Sequence, residues 1–419
     1  MTQLPITPTS SPDQARVAVR EWVATTVPQD WRAAADRGPA ALRAVRTPAD
    51  YAAWYPAFAE SGLVVPTWQP EHGGLGVAAD VARAIDVELA PLRLTRLNPL
   101  GLNNAASALF SHGTEEQRRR FLPPIVRNEE KWCQLFSEPG AGSDLASLST
   151  RAVRDGAGDG ADWMVTGQKV WSTWADEADF AILLARTDID RPKHEGITYF
   201  LLNLRQPGVQ IRPLRQITGE SEFNEVFLDG ARIPDFQRVG DVNDGWRVSA
   251  STLSSERQMV SGSGSGGMGR LGGSSADRLI GLAKEKGRWA DPVIRGRIMH
   301  VWAQEQIRGW TNARVRAALT AGQSPGAASS IGKVHQATLN QQIQNLMVDI
   351  LGTEALAWAP TDDPDALPRE VRGMLRSLAN GTEGGTTDIN KNILGERVLG
   401  LPREPDPWKG KPWRDVPRS

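Results

Sequence analysis

The sequence holds a single cysteine, Cys133, and only five histidines, scattered as His72, His112, His194, His300 and His335. One thiol excludes an internal disulfide and any paired-cysteine redox or zinc site. No two histidines stand at ligand spacing, so a metal enzyme is not expected and no residue is assigned to a metal. Charge of one sign is lacking too: 48 Lys plus Arg meet 49 Asp plus Glu, leaving no net field to draw the chain to nucleic acid or an anionic membrane. No uninterrupted apolar run approaches the length that spans a bilayer. The opening stretch, MTQLPITPTSSPDQARVAVREW, has no apolar core of signal-peptide length. Together these absences predict a cytoplasmic protein with neither nucleic acid nor membrane as partner.

What is present is a globular mixture, 40% hydrophobic and 23% charged, over 419 residues. That length exceeds one ordinary core and predicts two or three domains. From about Pro12 to Glu129 apolar residues recur at three and four positions, as in Ala79–Leu92 and Asn103–Phe110, the pattern of amphipathic helices. Thr114 followed by Gln117 reads as a capping box opening a helix after His112-Gly113. The texture then changes. Trp163–Thr166, a Gly-Gln turn and Lys169–Thr173 read as a hairpin. Ala181–Ala185, Ile197–Leu204, Val209–Pro213 and Asn224–Leu228 read as further strands between Gly, Asp and Pro turns. After Gly245-Trp246 the helical period returns through Pro292–Leu319, Ser329–Leu351 and Arg369–Leu378. Contiguous strands between two helical regions argue against a doubly wound sheet and for an α+β multidomain chain. The divisions are 1–130, helical; 131–240, β; and 241–419, helical.

Ser261–Ser275, SGSGSGGMGRLGGSS, contains two overlapping GxGxxG matches. A dinucleotide fingerprint needs a strand before it, and Leu253–Val260 reads as helix. The stretch is therefore read as a loosened or broken helix beside a ligand or partner, with backbone N–H groups able to reach phosphates.

The densest chemical signal is Gln134-Leu135-Phe136-Ser137-Glu138-Pro139-Gly140-Ala141-Gly142-Ser143-Asp144. Its small residues let backbone approach a flat ligand, and its hydroxyls offer hydrogen bonds. The segment closely resembles the EPGAGSD signature of acyl-CoA dehydrogenases, in which it borders the flavin ring. Pro70–Gly76, His112–Gln117 with Phe121-Leu122-Pro123, Gly167–Thr173 and Gly384–Ile389 with Glu396–Pro402 resemble further landmarks of that family. The resemblance spans most of the chain. It implies an N-terminal helical domain, a middle antiparallel β-barrel and a C-terminal four-helix bundle, with FAD between the last two. It further implies that Gln134, Leu135, Phe136, Ser137, Gly142, Ser143, Trp171, Ser172, Thr173, Thr386 and Asp388 contact the cofactor, and that Ser143 and Arg257 face substrate.

A thioester α-proton is weakly acidic. The reaction the resemblance implies therefore needs a positioned carboxylate, donors to the thioester carbonyl, and a hydride acceptor over the β carbon, the part a flavin plays. Many relatives place the base just before the Gly-Thr of the C-terminal motif, where this chain has Gly384. Another branch, including isovaleryl-CoA and long-chain acyl-CoA dehydrogenases, takes it from the helix after the β domain. Leu253-Ser254-Ser255-Glu256-Arg257 fits that context, which makes Glu256 the expected base and Glu383 its rival. A water-poor pocket would raise the Glu256 pKa from about 4.3 toward neutrality. By the same resemblance the Gly384 N–H donates to the thioester carbonyl.

The family's arginine-aromatic-glycine motif for a neighbour's FAD pyrophosphate has no counterpart in Gly287–Arg297, and Asp349 stands where a Gln is usual. These departures are similar to a branch acting on branched, cyclic or steroid-side-chain thioesters, some of whose members are heteromers. Two readings follow: an acyl-CoA dehydrogenase passing electrons to an electron-transfer flavoprotein, as homo-tetramer, dimer or heteromer; or a non-catalytic partner completing another subunit's FAD site. An acyl-CoA oxidase would call for a longer chain. Whether Asp406–Ser419 packs on a neighbour stays open at this point.

Overall fold

The computed structural model describes residues 4–158, 160–260, 276–321, 329–358 and 366–417, and for 254–260, 316, 319, 320 and 329 the backbone alone. The first region is helical: α1 (Pro12–Thr26), α2 (Gln29–Ala35), α3 (Pro39–Val45), α4 (Pro48–Glu60), α5 (Ala79–Leu89), α6 (Ala106–His112) and α7 (Glu115–Arg127). Three of these starts carry reciprocal capping boxes, Ser11 with Gln14, Thr47 with Asp50, and Thr114 with Gln117. Each satisfies two of the N–H groups that a helix end leaves without partners. A turn of π-helix, Leu100–Ala105, leads into α6.

The middle region supplies β1 (Trp132–Leu135), β2 (Arg151–Arg154), β3 (Trp163–Thr173), β4 (Phe180–Arg186), β5 (Ile197–Asn203), β6 (Val209–Leu214), β7 (Phe223–Ile233) and β8 (Arg238–Val239). They form one sheet in the order β6-β7-β3-β2-β4-β5-β8, with β1 added on β4. Two details depart from the sequence reading. First, β1 and β2 each pair with β4 in parallel, so the unit is not wholly antiparallel. Second, the expected hairpin at Gly167-Gln168 is a single eleven-residue strand with a register shift at that glycine. A Cβ on Gly167 would lie 2.4 Å from Thr150 Oγ1 and 2.7 Å from its Cα. The glycine therefore serves a close strand approach rather than a turn. All seven residues of β4 are buried, as are six of the seven in β5, which explains their unbroken apolar runs. Cys133 lies in this core, beside Ala181 across the β1–β4 pair, and burial pushes its thiol far up.

The last region contains α8 (Gly245–Val260), α9 (Ala276–Glu285), α10 (Pro292–Thr320), α11 (Ser329–Leu351), α12 (Arg369–Ser377) and α13 (Thr387–Arg397). Ile294, Ile298 and Val301 on α10 meet Leu339, Ile343, Leu346 and Ile350 on α11, the three-and-four spacing that made both segments read as helices. Among the described residues no helix is long and apolar enough to cross a membrane. Ser261–Ser275, with its glycine matches, lies outside the described residues.

Candidate active site

The loop after β1 is fixed to β3 by a buried ion pair. Lys169 Nζ, fully buried, lies 2.8 Å from Glu138 Oε1 and also donates to the Phe136 carbonyl at 3.0 Å. The Ser149 and Thr150 N–H groups donate to the two Glu138 oxygens at 2.6 and 2.9 Å. Burial pushes the Glu138 carboxyl up, but the Lys169 ammonium and these hydrogen bonds outweigh it and hold it below the usual carboxylate range. Glu138 and Ala141 exchange both backbone hydrogen bonds in a tight reversal, and Val170 N donates to the Ser137 carbonyl. Residues 134–138 and 169–171 are thereby one rigid unit. Both ionic partners sit inside recognisable motifs, yet sequence reasoning assigned neither a role. Their charges, opposite in sign and each inside a motif, were the available signal.

Trp171 follows immediately. A bulge between Lys169 and Ser172 gives it φ +62° and leaves its indole 61% exposed. A left-handed non-glycine residue costs on the order of 1–3 kcal/mol and is characteristic of sites that must aim a side chain. Gly142 and Ser143 are exposed on the adjoining loop, and a Cβ at Gly142 would meet nothing within 4 Å. Ser172 Oγ is buried without a hydrogen-bond partner. An outward indole and an open glycine loop fit a flat heteroaromatic ligand such as a flavin. Leu135 and Phe136 are buried in opposite cores, so they can offer such a ligand backbone only. Gln134 accepts from Asn104 Nδ2 at 2.9 Å, and Thr173 ends β3 half-buried.

The C-terminal motif is tied to this unit through residues the sequence reading did not single out. Trp174 N donates to the Glu222 carbonyl at 2.8 Å. Arg376 on α12 lies 3.5 Å from the Glu222 carboxylate and 2.9 Å from Glu383. Its guanidinium also stands 5.9 Å from the Phe223 ring, which meets Trp171 edge-on, also at 5.9 Å. Beyond Glu383, Gly384 and Gly385 take φ +62° and +86°, a pair of left-handed steps that glycine adopts without strain. Thr386 Oγ1 then caps α13 by accepting from Ile389 N, and Asp388 sits exposed in its first turn. Glu383 has little freedom. Asn380 Nδ2 donates to one of its oxygens at 2.7 Å and Arg376 to the other at 2.9 Å.

α8 starts so close to β5 that a Cβ on Gly245 would lie 2.5 Å from the Thr198 carbonyl carbon. Ser251 Oγ meets His112 Nε2 at 3.2 Å, and Thr252 Oγ1 meets Tyr199 OH at 3.0 Å. Glu256 and Arg257 lie on the next turn of α8, where their side chains fall outside the described residues.

Family comparisons match in chain order. "Acyl-CoA dehydrogenase, N-terminal domain" covers residues 9–129, the middle domain 133–231 and the C-terminal domain 243–399. The chain is 36% identical over 409 residues to the acyl-CoA dehydrogenase IpdE1 of Mycolicibacterium smegmatis, covering 93% of this chain and 97% of that one. It is 40% identical over 347 residues to the acyl-CoA dehydrogenase FadE34 of Mycobacterium tuberculosis, covering 83% of this chain but only 46% of that longer protein. Among solved structures, the ChsE4-ChsE5 complex of Mycobacterium tuberculosis superposes with a TM-score of 0.67 at 26% identity, over 96% of this chain and 100% of that one. With three domain matches in order, and a relative aligned over 97% of its length, the chain belongs to the acyl-CoA dehydrogenase family, flavin-dependent oxidoreductases that dehydrogenate acyl-CoA thioesters.

Proposed function

We propose that this chain carries its own catalytic site and dehydrogenates an acyl-CoA between Cα and Cβ, with Glu256 as base and FAD as cofactor. The observation that carries the assignment of the base is the state of the C-terminal motif. Gly384 has no side chain, and Glu383 is committed to Arg376 and Asn380. That leaves the carboxylate on α8, whose earlier turns are locked against the first two regions by Ser251 and Thr252. Flavin, when bound, supplies the two-electron acceptor that no protein side chain provides. Trp171 gives it a flat face, Ser172 gives backbone and Thr173 a hydroxyl, and residues 134–137 with Gly142 and Ser143 give backbone and a small-residue edge. Thr386 and Asp388 border the site from the start of α13. Glu256 takes the α-proton while the Gly384 N–H donates to the thioester oxygen, stabilising the enolate character that develops there. Arg257 and Ser143 face the substrate. The absent side chain at Gly384 widens this wall for a branched or ring-bearing acyl group.

The same reading divides the chain near residues 130 and 240 and gives the reduced enzyme an electron-transfer flavoprotein as acceptor. It also makes the working form an oligomer. α10 leaves Val293, Met299, Trp302, Ile307 and Trp310 exposed, the two tryptophans by 47% and 66%, a grouping expected of a surface that packs on another subunit.

Anaerobic titration with straight, branched and cyclic acyl-CoAs tests the assignment. The wild type is expected to be yellow and to bleach with one thioester class. Glu256→Gln should keep its flavin and bleach at least about 100-fold more slowly, the usual consequence of losing a general base. A wild type that carries no flavin alone, but acquires it with a related subunit, would favour the non-catalytic partner instead.

A further inference from the structure

The last described residues return to the site from behind. After α13 the chain crosses back to the loop between β4 and β5. There Pro412 bridges Pro192, Trp413 N donates to the Arg191 carbonyl at 2.8 Å, and Arg414 N donates to that of Ile189 at 3.1 Å. The Arg414 guanidinium pairs with Asp190 at 2.8 Å. Trp413 is only 7% exposed, and its ring lies 4.9 Å from the Arg186 guanidinium carbon. Arg186 is itself buried at the end of β4. It donates to the Ala146 carbonyl at 2.6 Å, to that of Leu148 at 3.3 Å and to that of Lys193 at 2.7 Å. The indole N–H of Trp413 reaches the Ser147 carbonyl at 3.4 Å. One indole thus closes over a cation whose partners include the carbonyls of residues 146 and 148, a few positions beyond Gly142 and Ser143.

We propose that the C-terminal strap is a positioning element for the cofactor-facing loop: Trp413, seated on Arg186, holds residues 141–148 in the shape that presents Gly142 and Ser143. A guanidinium over an aromatic face is attracted more strongly once water is excluded. Covering Arg186 therefore keeps its hydrogen bonds directed at the loop carbonyls rather than shared with solvent. Two contacts extend the effect. Lys193 Nζ grips Asp144 at 2.8 and 2.9 Å, and the His194 ring meets Trp246 on α8 at 4.8 Å. The strapped loop consequently touches both the glycine-rich turn and the helix that bears Glu256. The inference rests on the flavin reading above.

The full-length apoprotein provides the test, with FAD affinity read from quenching of flavin fluorescence and loop order from amide hydrogen exchange. Trp413→Leu keeps the apolar bulk and removes the ring; Trp413→Phe keeps a ring over Arg186. Trp413→Leu should weaken FAD binding about tenfold, the scale of one partly desolvated cation–π contact. It should also speed exchange within 141–148 while leaving β5 protected. Trp413→Phe should restore both to within about twofold of wild type. Equal FAD affinity and equal exchange in the two variants overturn the proposal. A wild type that binds no FAD refutes the flavin reading, and the exchange contrast between the variants then decides the strap by itself.

Discussion

Replacing Lys169 by Met leaves the Glu138 carboxylate 8% exposed, with two backbone N–H donors and no cation. Breaking a buried pair in this way costs about 3–5 kcal/mol, because the remaining charge is uncompensated. At about 2–4 °C per kcal/mol, the unfolding midpoint should drop on the order of 10 °C at pH 7.5. The sign with pH follows from Glu138. Its folded carboxyl is held low, so its stabilisation is present above the ordinary carboxylate pKa of about 4.3 and is lost as pH falls through the folded value. In Lys169→Met burial acts without the opposing ammonium, and the acid limb of the stability curve should move to higher pH. Adding Glu138→Gln removes the stranded charge and should recover at least about 1 kcal/mol relative to the single variant. Thermal unfolding monitored by circular dichroism gives all three values. A loss under about 1 kcal/mol in Lys169→Met, the range of exposed pairs, or a double variant weaker than the single, would refute the reasoning.

Other outcomes are equally specific. Trp171→Ala should leave the apoprotein's melting temperature within about 2 °C, because its indole is mostly exposed. It should weaken FAD retention roughly tenfold through the lost aromatic face, read by equilibrium dialysis. Glu383→Gln keeps its contact with Asn380 and should bleach with acyl-CoA within about threefold of wild type; a loss as large as the roughly 100-fold expected of a missing general base would make Glu383 the base. Burial, with Arg247 nearby, lowers the His112 pKa, and burial, with Lys193 nearby, lowers that of His194. The unfolded chain therefore binds more protons, and stability should fall as pH drops below about 6.5. His112→Gln and His194→Gln should each flatten that decline in a melting-temperature profile.

The parts of the fold that were legible in the sequence are those governed by local pattern. The Thr114–Gln117 box sits where it was expected, and α10 and α11 run over nearly the residues that their helical period indicated. What could not be read depends on contacts across long separations. Gly167 looks like a turn until Thr150 is seen against it. The parallel placement of β1 and β2 on β4 leaves no mark in strands of four residues. In the candidate site, the motif around Gln134 to Glu138 and the one around Lys169 to Trp171 were both legible, and the Lys169–Glu138 pair joins them. Arg376 and Phe223 sit in unremarkable stretches and gain meaning only by bridging Trp171 to Glu383.

The one native thiol has a practical consequence. Cys133 is 1% exposed in the sheet, and burial holds it in the protonated form, which is inert toward maleimides and similar reagents. A cysteine introduced at exposed Lys411 would be the single reactive thiol on an otherwise unaltered chain. A spin label or dye placed there would follow the docking of the C-terminal segment in solution without any need to engineer out the natural residue.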